Sequence, residues 1–211
     1  MTTQASIEIL DPLQLDLPSL VEHFRERFGK GEHHAHALFR SIHRDGVFDP
    51  RELPEFDQNP SLAEVVAEQL PVRLPAVCGR SGDGATYKFL LRLRDGLESE
   101  SVVIPMRSYK SLCVSSQVGC KMGCTFCETA RLGHLRDLDA GEIVAQVLVA
   151  RHALREPVEN VVFMGMGEPM DNLDNVLRAV RILSDQRGLA IPLPSITLST
   201  VGHVDGIRRF A

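Results

Sequence analysis

The sequence lacks several features that would assign it to a class at once. It contains no tryptophan, only 5% aromatic residues, and no uncharged apolar run of the roughly 18 residues that a membrane-spanning helix requires. It also has no basic excess, because 28 Asp and Glu outnumber 23 Lys and Arg and give a net charge of −5. Any nucleic acid would therefore have to be bound by a local basic patch.

The amino-terminal segment has no basic start followed by an apolar stretch, so it does not look like a secretory signal, and we expect a cytoplasmic protein. Among the 211 residues, 44% are hydrophobic and 24% are charged, which is ordinary for a globular chain and excludes full disorder. This length predicts one domain, or one domain with a small appendage.

Cysteines are few, but their positions are informative. Four of the five lie close together, and Cys120, Cys124 and Cys127 have the spacing C-x3-C-x2-C. In a cytoplasmic chain, clustered thiols bind metal or perform redox chemistry more often than they form structural disulfides. Three thiolates can hold a four-iron cluster and leave one iron without a protein ligand. Two alternatives stay open: a zinc site completed by His134, and three unligated thiols.

The first part of the chain favours helices, since apolar residues recur at helical spacing before Pro71 and Pro75. One helix is predicted to begin at Ser61, with Glu64 completing a capping box. Residues 86–94 and 101–104 are rich in strand formers, and a turn between them predicts a β-hairpin.

From residue 111 onward the pattern alternates between strands and helices. Apolar stretches predict buried strands at Leu112–Ser115, Asn160–Met164 and Ser195–Ser199. A capping box formed by Asp139 and Glu142 predicts the start of a helix between the first two. Such alternation indicates a parallel α/β sheet with right-handed crossovers.

Several of these motifs together resemble one family. C-x3-C-x2-C with Phe126 before its last cysteine is similar to the signature of radical S-adenosylmethionine enzymes. The wider set resembles the RlmN/Cfr family of RNA adenine methyltransferases, and the motifs are Leu112–Cys120, Cys124–Cys127, Thr129-Ala130, Gly165–Pro169 and Thr197–Thr200. Proline at position 169 is more similar to the RlmN branch.

The resemblance covers about residues 84 to 205 and implies an α/β fold, a partial radical SAM (βα) barrel. We expect a helical accessory domain at 1–75 that could bind RNA, a β-hairpin extension at 76–108, and the amino-terminal half of the barrel at 109–211. The family's methyl-accepting cysteine lies near the carboxyl terminus of a longer chain, and no cysteine here matches it. We therefore expect a fragment or truncated product of a longer enzyme.

The same resemblance implies the cofactors and the site. Cys120, Cys124 and Cys127 would bind a [4Fe–4S] cluster whose open iron takes S-adenosylmethionine. Residues expected to contact that cofactor are Gly167, Glu168 and Ser199. In this family a thiol resolves a protein–RNA adduct by forming a disulfide, and Cys113 matches it. Glu100 matches a proposed proton acceptor.

The implied reaction is methylation of C2 of adenosine in 23S rRNA, with tRNA as a further substrate. An electron donor such as flavodoxin would reduce the cluster, and neither DNA nor a membrane is expected as a partner. Methylation at C8, as in the Cfr branch, is one alternative. A non-catalytic, metal-stabilised RNA-binding fragment is another.

Overall fold

The computed structural model describes residues 9–82 and 84–211. Its α-helices are α1 (Leu17–Phe28), α2 (Glu32–Arg40), α3 (Pro60–Gln69), α4 (Glu128–Leu132), α5 (Ala140–Leu148), α6 (Leu173–Ser184) and α7 (Val204–Phe210). Its strands are β1 (Ala76–Ser81), β2 (Tyr87–Arg92), β3 (Glu98–Pro105), β4 (Lys110–Cys113), β5 (Gln117–Gly119), β6 (His134–Asp137), β7 (Val158–Phe163) and β8 (Ile196–Leu198). No described helix combines the length and the apolar character needed to cross a lipid bilayer.

Local capping determines where the helices begin. The predicted capping box at the start of α5 is confirmed, because Asp139 accepts from the amide of Glu142 and the Glu142 side chain accepts from the amide of Asp139. The predicted start of α3 at Ser61 is wrong. Asn59 caps that helix by accepting from the amide of Leu62, and Pro60 occupies the first turn. Proline favours this position because its missing N–H would have no helical partner there.

Six strands form the main sheet in the order β1-β2-β3-β4-β7-β8. The strands from β1 to β4 pair antiparallel, whereas β4, β7 and β8 pair parallel. The predicted parallel α/β arrangement is therefore confirmed for β4, β7 and β8. The predicted hairpin corresponds to β2 and β3, and β1 adds a third antiparallel strand that the sequence did not indicate.

The two faces of this sheet differ. One face buries Phe89, Val103, Leu112 and Val161 in a hydrophobic core that also includes side chains of the amino-terminal helices, α5 and α6. Strand alternation places every second residue on the opposite face. In a (βα) barrel that opposite face is the one that lines the interior. The core is continuous from the helices to the sheet, and the expected domain boundary at residue 75 stays a prediction.

Candidate functional site

The three clustered cysteines lie on a loop that leaves and re-enters a small two-stranded sheet. Strand β5 pairs antiparallel with β6, and the amide of Cys120 donates to the carbonyl of Gly133 at 2.9 Å. Gly119 has a φ of +79°, and a Cβ atom there would overlap the carbonyl oxygen of Gly133. Glycine is therefore required at position 119, because this close approach closes the loop.

Within the loop, the cysteines follow one another through tight turns. The amide of Cys127 donates to the carbonyl of Cys124 at 3.1 Å, and the next turn begins α4. All three thiols are free and half-buried, while the neighbouring Phe126 is 90% exposed. These thiols are thus accessible and not consumed by a disulfide.

A second loop follows β7 and lies against the segment after β4. Glu168 is 2% exposed, and its two carboxylate oxygens accept from the amides of Met170 at 3.0 Å and Val201 at 2.9 Å. Val201 follows the end of β8, so Glu168 ties together the loops after two neighbouring strands. Ser199 follows β8 directly and is half-buried.

Gly167 gives this second loop its shape. Its φ is +104°, and a Cβ atom there would lie 2.7 Å from Cβ and Cγ of Gln117. The side chain of Gln117 fills that space and links both loops. Its Oε1 accepts from the amide of Glu168 at 2.9 Å, and its Nε2 donates to Oδ1 of Asp137 on β6 at 2.7 Å.

Cys113 ends β4 and lies on the side of the sheet opposite the core. It is buried, and this burial raises the pKa of its thiol, while the backbone amide of Met164 lowers it and the carboxylate of Glu100 raises it further. The thiol is therefore protonated near neutral pH. Cys113 pairs with Val102, two residues from Glu100, which places both side chains on one face.

Comparisons with known proteins agree with this geometry. The profile of the Radical SAM superfamily matches residues 114–210. A crystal structure of a radical SAM methyltransferase from Sphaerobacter thermophilus has a TM-score of 0.85 at 34% identity, over 95% of this chain and 60% of that one.

Two curated relatives carry a more specific name. The dual-specificity RNA methyltransferase RlmN of Syntrophobacter fumaroxidans is 42% identical over 92% of this chain and 56% of its own length. The probable dual-specificity RNA methyltransferase RlmN 1 of Protochlamydia amoebophila is 41% identical over 86% of this chain and 50% of its own. The chain belongs to the RlmN-like family of radical SAM proteins. It spans about half the length of these curated relatives.

Membership of the RlmN-like family implies a [4Fe–4S] cluster and S-adenosylmethionine as cofactors, and the donor set fits them. Three free thiols share one loop, and Gln117 on the strand leading into that loop accepts from the amide of Glu168. Among residues 9–82 and 84–211, no group of three or more His, Cys, Asp or Glu side chains is arranged to hold a metal ion. A cubane binds each thiolate through a different iron, so its ligands lie further apart than those of one ion.

The sequence-predicted site residues lie in one region of the RlmN-like fold. Gly167, Glu168, Ser199 and Cys113 follow or end strands at the carboxyl edge of the parallel part of the sheet. The cysteine loop follows β5, which begins four residues after β4 ends. Glu100 joins them from the adjoining antiparallel strand. His134, the candidate fourth zinc ligand, has its Nε2 3.2 Å from Oδ1 of Asp137.

Sequence reasoning missed residues that hold the region together. Gln117 is the main one, and Lys121, next to Cys120, pairs at 3.2 Å with Asp171, whose side chain is 7% exposed. Gln146 is fully buried on α5 and bonds to the backbone of Ser115. Its signal was visible in the sequence, since a glutamine that interrupts the apolar face of a helix has to find hydrogen-bond partners inside the protein.

Proposed function

We propose that this protein is a radical S-adenosylmethionine methyltransferase that acts on C2 of adenosine in RNA, with 23S rRNA and tRNA as substrates. One observation carries the proposal. At the carboxyl edge of the parallel strands, Cys113 ends β4 and the buried Glu168 follows β7, while Gln117 of β5, the strand that leads into the cysteine loop, accepts from the amide of Glu168. This edge is where α/β folds bind ligands and carry out their chemistry.

Cys120, Cys124 and Cys127 would hold the cluster as thiolates. When bound, the cluster and S-adenosylmethionine supply a one-electron cleavage that yields a 5′-deoxyadenosyl radical. The protein's part is to bind the three irons and leave the fourth free for the cofactor. The close approach of Gly119 to Gly133 fixes both ends of the cysteine loop relative to the two-stranded sheet.

Gly167, Glu168 and Ser199 would contact the bound S-adenosylmethionine. Both carboxylate oxygens of Glu168 already accept one backbone amide each, and each has a second lone pair with which to accept from the cofactor's ammonium group. Gly167, which has no side chain and a positive φ, would contact the cofactor through its backbone. Ser199 offers a hydroxyl from the neighbouring strand end.

Cys113 and Glu100 would act on the RNA. Glu100 would accept the ring proton at C2. The Cys113 thiolate would attack the sulfur of the family's methyl-accepting cysteine, so that an S–S bond forms, the C–S bond to the RNA breaks, and its electron pair takes up a proton to complete the methyl group. Because burial and Glu100 raise the pKa of the thiol, Cys113 needs a base when it reacts. The Glu100 carboxylate, on the same face of the sheet, could accept the C2 proton at one stage and the Cys113 thiol proton at another.

RNA as the partner is supported by the names of the relatives, which are RNA methyltransferases. Pro169, which follows Glu168, supports C2 over C8 as the position of transfer. We further propose reduction of the cluster by a donor of the flavodoxin type, and no binding to DNA.

Anaerobic loading with iron and sulfide tests the proposed cofactors and reaction type. We expect about four irons and four sulfides per chain. With a strong reductant, the loaded protein should cleave S-adenosylmethionine to 5′-deoxyadenosine and methionine. One zinc per chain with no cleavage would contradict the proposal and favour a metal-stabilised binding module.

Nucleoside mass spectrometry tests the position of transfer. Because no cysteine here matches the family's methyl-accepting one, the test uses the cluster-loaded protein at the full length of its relatives. It is incubated with 23S rRNA, S-adenosylmethionine and reductant, and the RNA is then digested. We expect 2-methyladenosine. Formation of 8-methyladenosine instead would show that the methyl group is transferred to C8 and not to C2. Retention of a DNA of the same sequence as strongly as the RNA in a filter-binding assay would contradict RNA specificity.

A further inference from the structure

Backbone groups of the loop that carries Gly167 and Glu168 bond to the segment between β4 and β5. The amide of Gly165 donates to the carbonyl of Val114 at 3.1 Å, and the carbonyl of Met166 accepts from the amides of Ser116 at 2.9 Å and Gln117 at 3.1 Å. The position of Gly167 and Glu168 therefore depends on residues 114–117, the segment between β4 and β5.

Within that segment, the side chain of Ser115 makes contacts that none of its neighbours make. Its Oγ accepts from the amide of Met166 at 2.9 Å and donates to the carbonyl of Glu100 at 2.6 Å. A Cβ atom on Gly165 would lie 2.7 Å from this Oγ, so the loop approaches Ser115 as closely as glycine permits. One hydroxyl thus joins the strand that bears Glu100 to the cofactor loop.

Gln146 prevents Ser115 from shifting. From the fully buried face of α5, its Oε1 accepts from the amide of Ser115 at 2.8 Å and its Nε2 donates to the carbonyl of Ser115 at 2.9 Å. Oγ of Ser101 also donates to Oε1 of Gln146 at 2.8 Å. Buried amides that satisfy their partners in this way specify one arrangement, because any shift leaves polar groups unpaired.

We propose that Ser115 is a positioning residue that sets Glu100 and the loop of Gly167 and Glu168 in register with each other, and that Gln146 fixes Ser115 in place. This inference rests on the proposed function, since it assigns S-adenosylmethionine to that loop. Ser115 acts through the loop and does not itself touch the cofactor.

The adjacent Ser116 is a matched control. It is 2% exposed, and its Oγ has no hydrogen-bond partner among the described residues. Ser115→Ala and Ser116→Ala therefore remove the same atom from neighbouring buried positions, but only the first removes an acceptor from Met166. A second pair is Ser101→Ala, which removes a donor to Gln146, and Ser99→Ala, whose Oγ is buried without a described partner.

The test measures binding of S-adenosylmethionine, iron content and amide exchange. We expect Ser115→Ala to weaken binding about tenfold, because the loop amide loses its acceptor. Iron per chain should not change, since the bonds that close the cysteine loop do not involve Ser115. In cluster-free protein the amide of Met166 should exchange faster in Ser115→Ala than in Ser116→Ala.

The variant Val66→Ala separates the effect of general destabilisation, because it removes buried methyl groups from α3, a helix of the amino-terminal region. It should lower thermal stability and leave binding unchanged. Ser115→Ala with binding within about twofold of wild type, or Ser116→Ala with an equal loss, would overturn the inference. If Ser115→Ala does not fold, the comparison of Ser101→Ala with Ser99→Ala tests the inference instead. We then expect Ser101→Ala to weaken binding of S-adenosylmethionine, by less than tenfold, and Ser99→Ala to leave it unchanged.

Failure of this inference and failure of the proposed function look different. Wild-type protein that binds no S-adenosylmethionine would contradict the proposed function. The exchange of the Met166 amide needs neither cluster nor cofactor, and equal exchange in the two serine variants would contradict the positioning role alone.

Discussion

Lys88 on β2 and Glu100 on β3 form an ion pair, with 2.7 Å between Nζ and Oε2. On the same face of the sheet, burial raises the pKa of the Cys113 thiol, and the carboxylate of Glu100 raises it further. Lys88, Glu100 and Cys113 therefore bring a cation, an anion and a thiol together on one face of the sheet. The electrostatic potential at the Cys113 thiol depends on the charges of both Lys88 and Glu100.

Glu100→Gln should make Cys113 more reactive. Removing the negative charge lowers the pKa of the thiol, so more thiolate exists at pH 7.5 and alkylation by iodoacetamide should be several-fold faster. Peptide mass spectrometry measures the rate at Cys113 separately from the other cysteines. Glu98→Gln, which removes a carboxylate paired with Arg92, is the control and should leave the rate unchanged. Equal rates in both variants would argue against this electrostatic contact.

Lys88→Met should have the opposite effect. Without the ammonium group, the carboxylate of Glu100 is no longer offset, and the pKa of the Cys113 thiol should rise. Alkylation at Cys113 should therefore become slower than in wild type. Arg92→Met, which breaks the neighbouring ion pair with Glu98, should change little. Faster alkylation in Lys88→Met would show that the sign is wrong.

Gly167→Ala should destabilise the protein by about 3 kcal/mol, because the new Cβ atom meets Gln117 and the positive φ is unfavourable for alanine. Urea unfolding measures the loss. Gly29→Ala is the matched control, with a φ of +60° and no atom within 4 Å of the new Cβ. It should cost only about 1 kcal/mol, from backbone strain alone. Equal losses would mean that the contact with Gln117 is unimportant.

His43 should make the fold sensitive to acid. Burial, together with the smaller effect of the nearby His152, lowers the pKa of this histidine from 6.5 to about 3. The folded state therefore keeps His43 neutral, whereas the unfolded chain takes up a proton below pH 6.5. Its contribution to stability is complete above pH 6.5 and should fall by about 1.4 kcal/mol per pH unit below it, down to about pH 3.

Urea unfolding at pH 7.5 and pH 5.0 measures this effect. His43→Leu should lose less stability between the two pH values than wild type, by about 2 kcal/mol. The same substitution at the exposed His33 should leave the wild-type pH dependence in place. An unchanged pH dependence in His43→Leu would show that another group is responsible.

Cys124→Ser should abolish binding of the iron–sulfur cluster, whereas Cys113→Ser should leave it intact. Cys124 belongs to the cysteine loop, while Cys113 ends β4 on the other side of the connecting segment. Iron per chain and the visible absorbance of the loaded protein measure the difference. Equal loss of iron in both variants would contradict the division of roles between the two thiols.

Short-range signals in the sequence predicted much of the fold. The capping box at Asp139 was correct because its two hydrogen bonds join residues three apart. The start of α3 was predicted two residues late, since Asn59 competes with Ser61 as a cap and Pro60 favours the first turn. The strands β5 and β6 were missed, because three- and four-residue strands depend on pairing across the whole cysteine loop.

The site was predictable as a set of residues and less so as a structure. Motif spacing identified the cysteine loop and the pair Gly167 and Glu168. The electrostatic interaction between Glu100 and Cys113 depends on the register of two antiparallel strands, which no local pattern specifies. The bonds that Gln117 makes to Glu168 and Asp137 join residues 51 and 20 positions away, so only the folded chain brings them together.

Strand β4 has an antiparallel neighbour on one side and a parallel one on the other. Parallel neighbours contribute their last residues to the rim where β4 ends, but the reversed β3 contributes its first ones, such as Glu100. An antiparallel strand added beside the first strand of a barrel can therefore place a reactive group at the carboxyl edge of the parallel strands without a change in any of them. New chemistry can be acquired by addition alone.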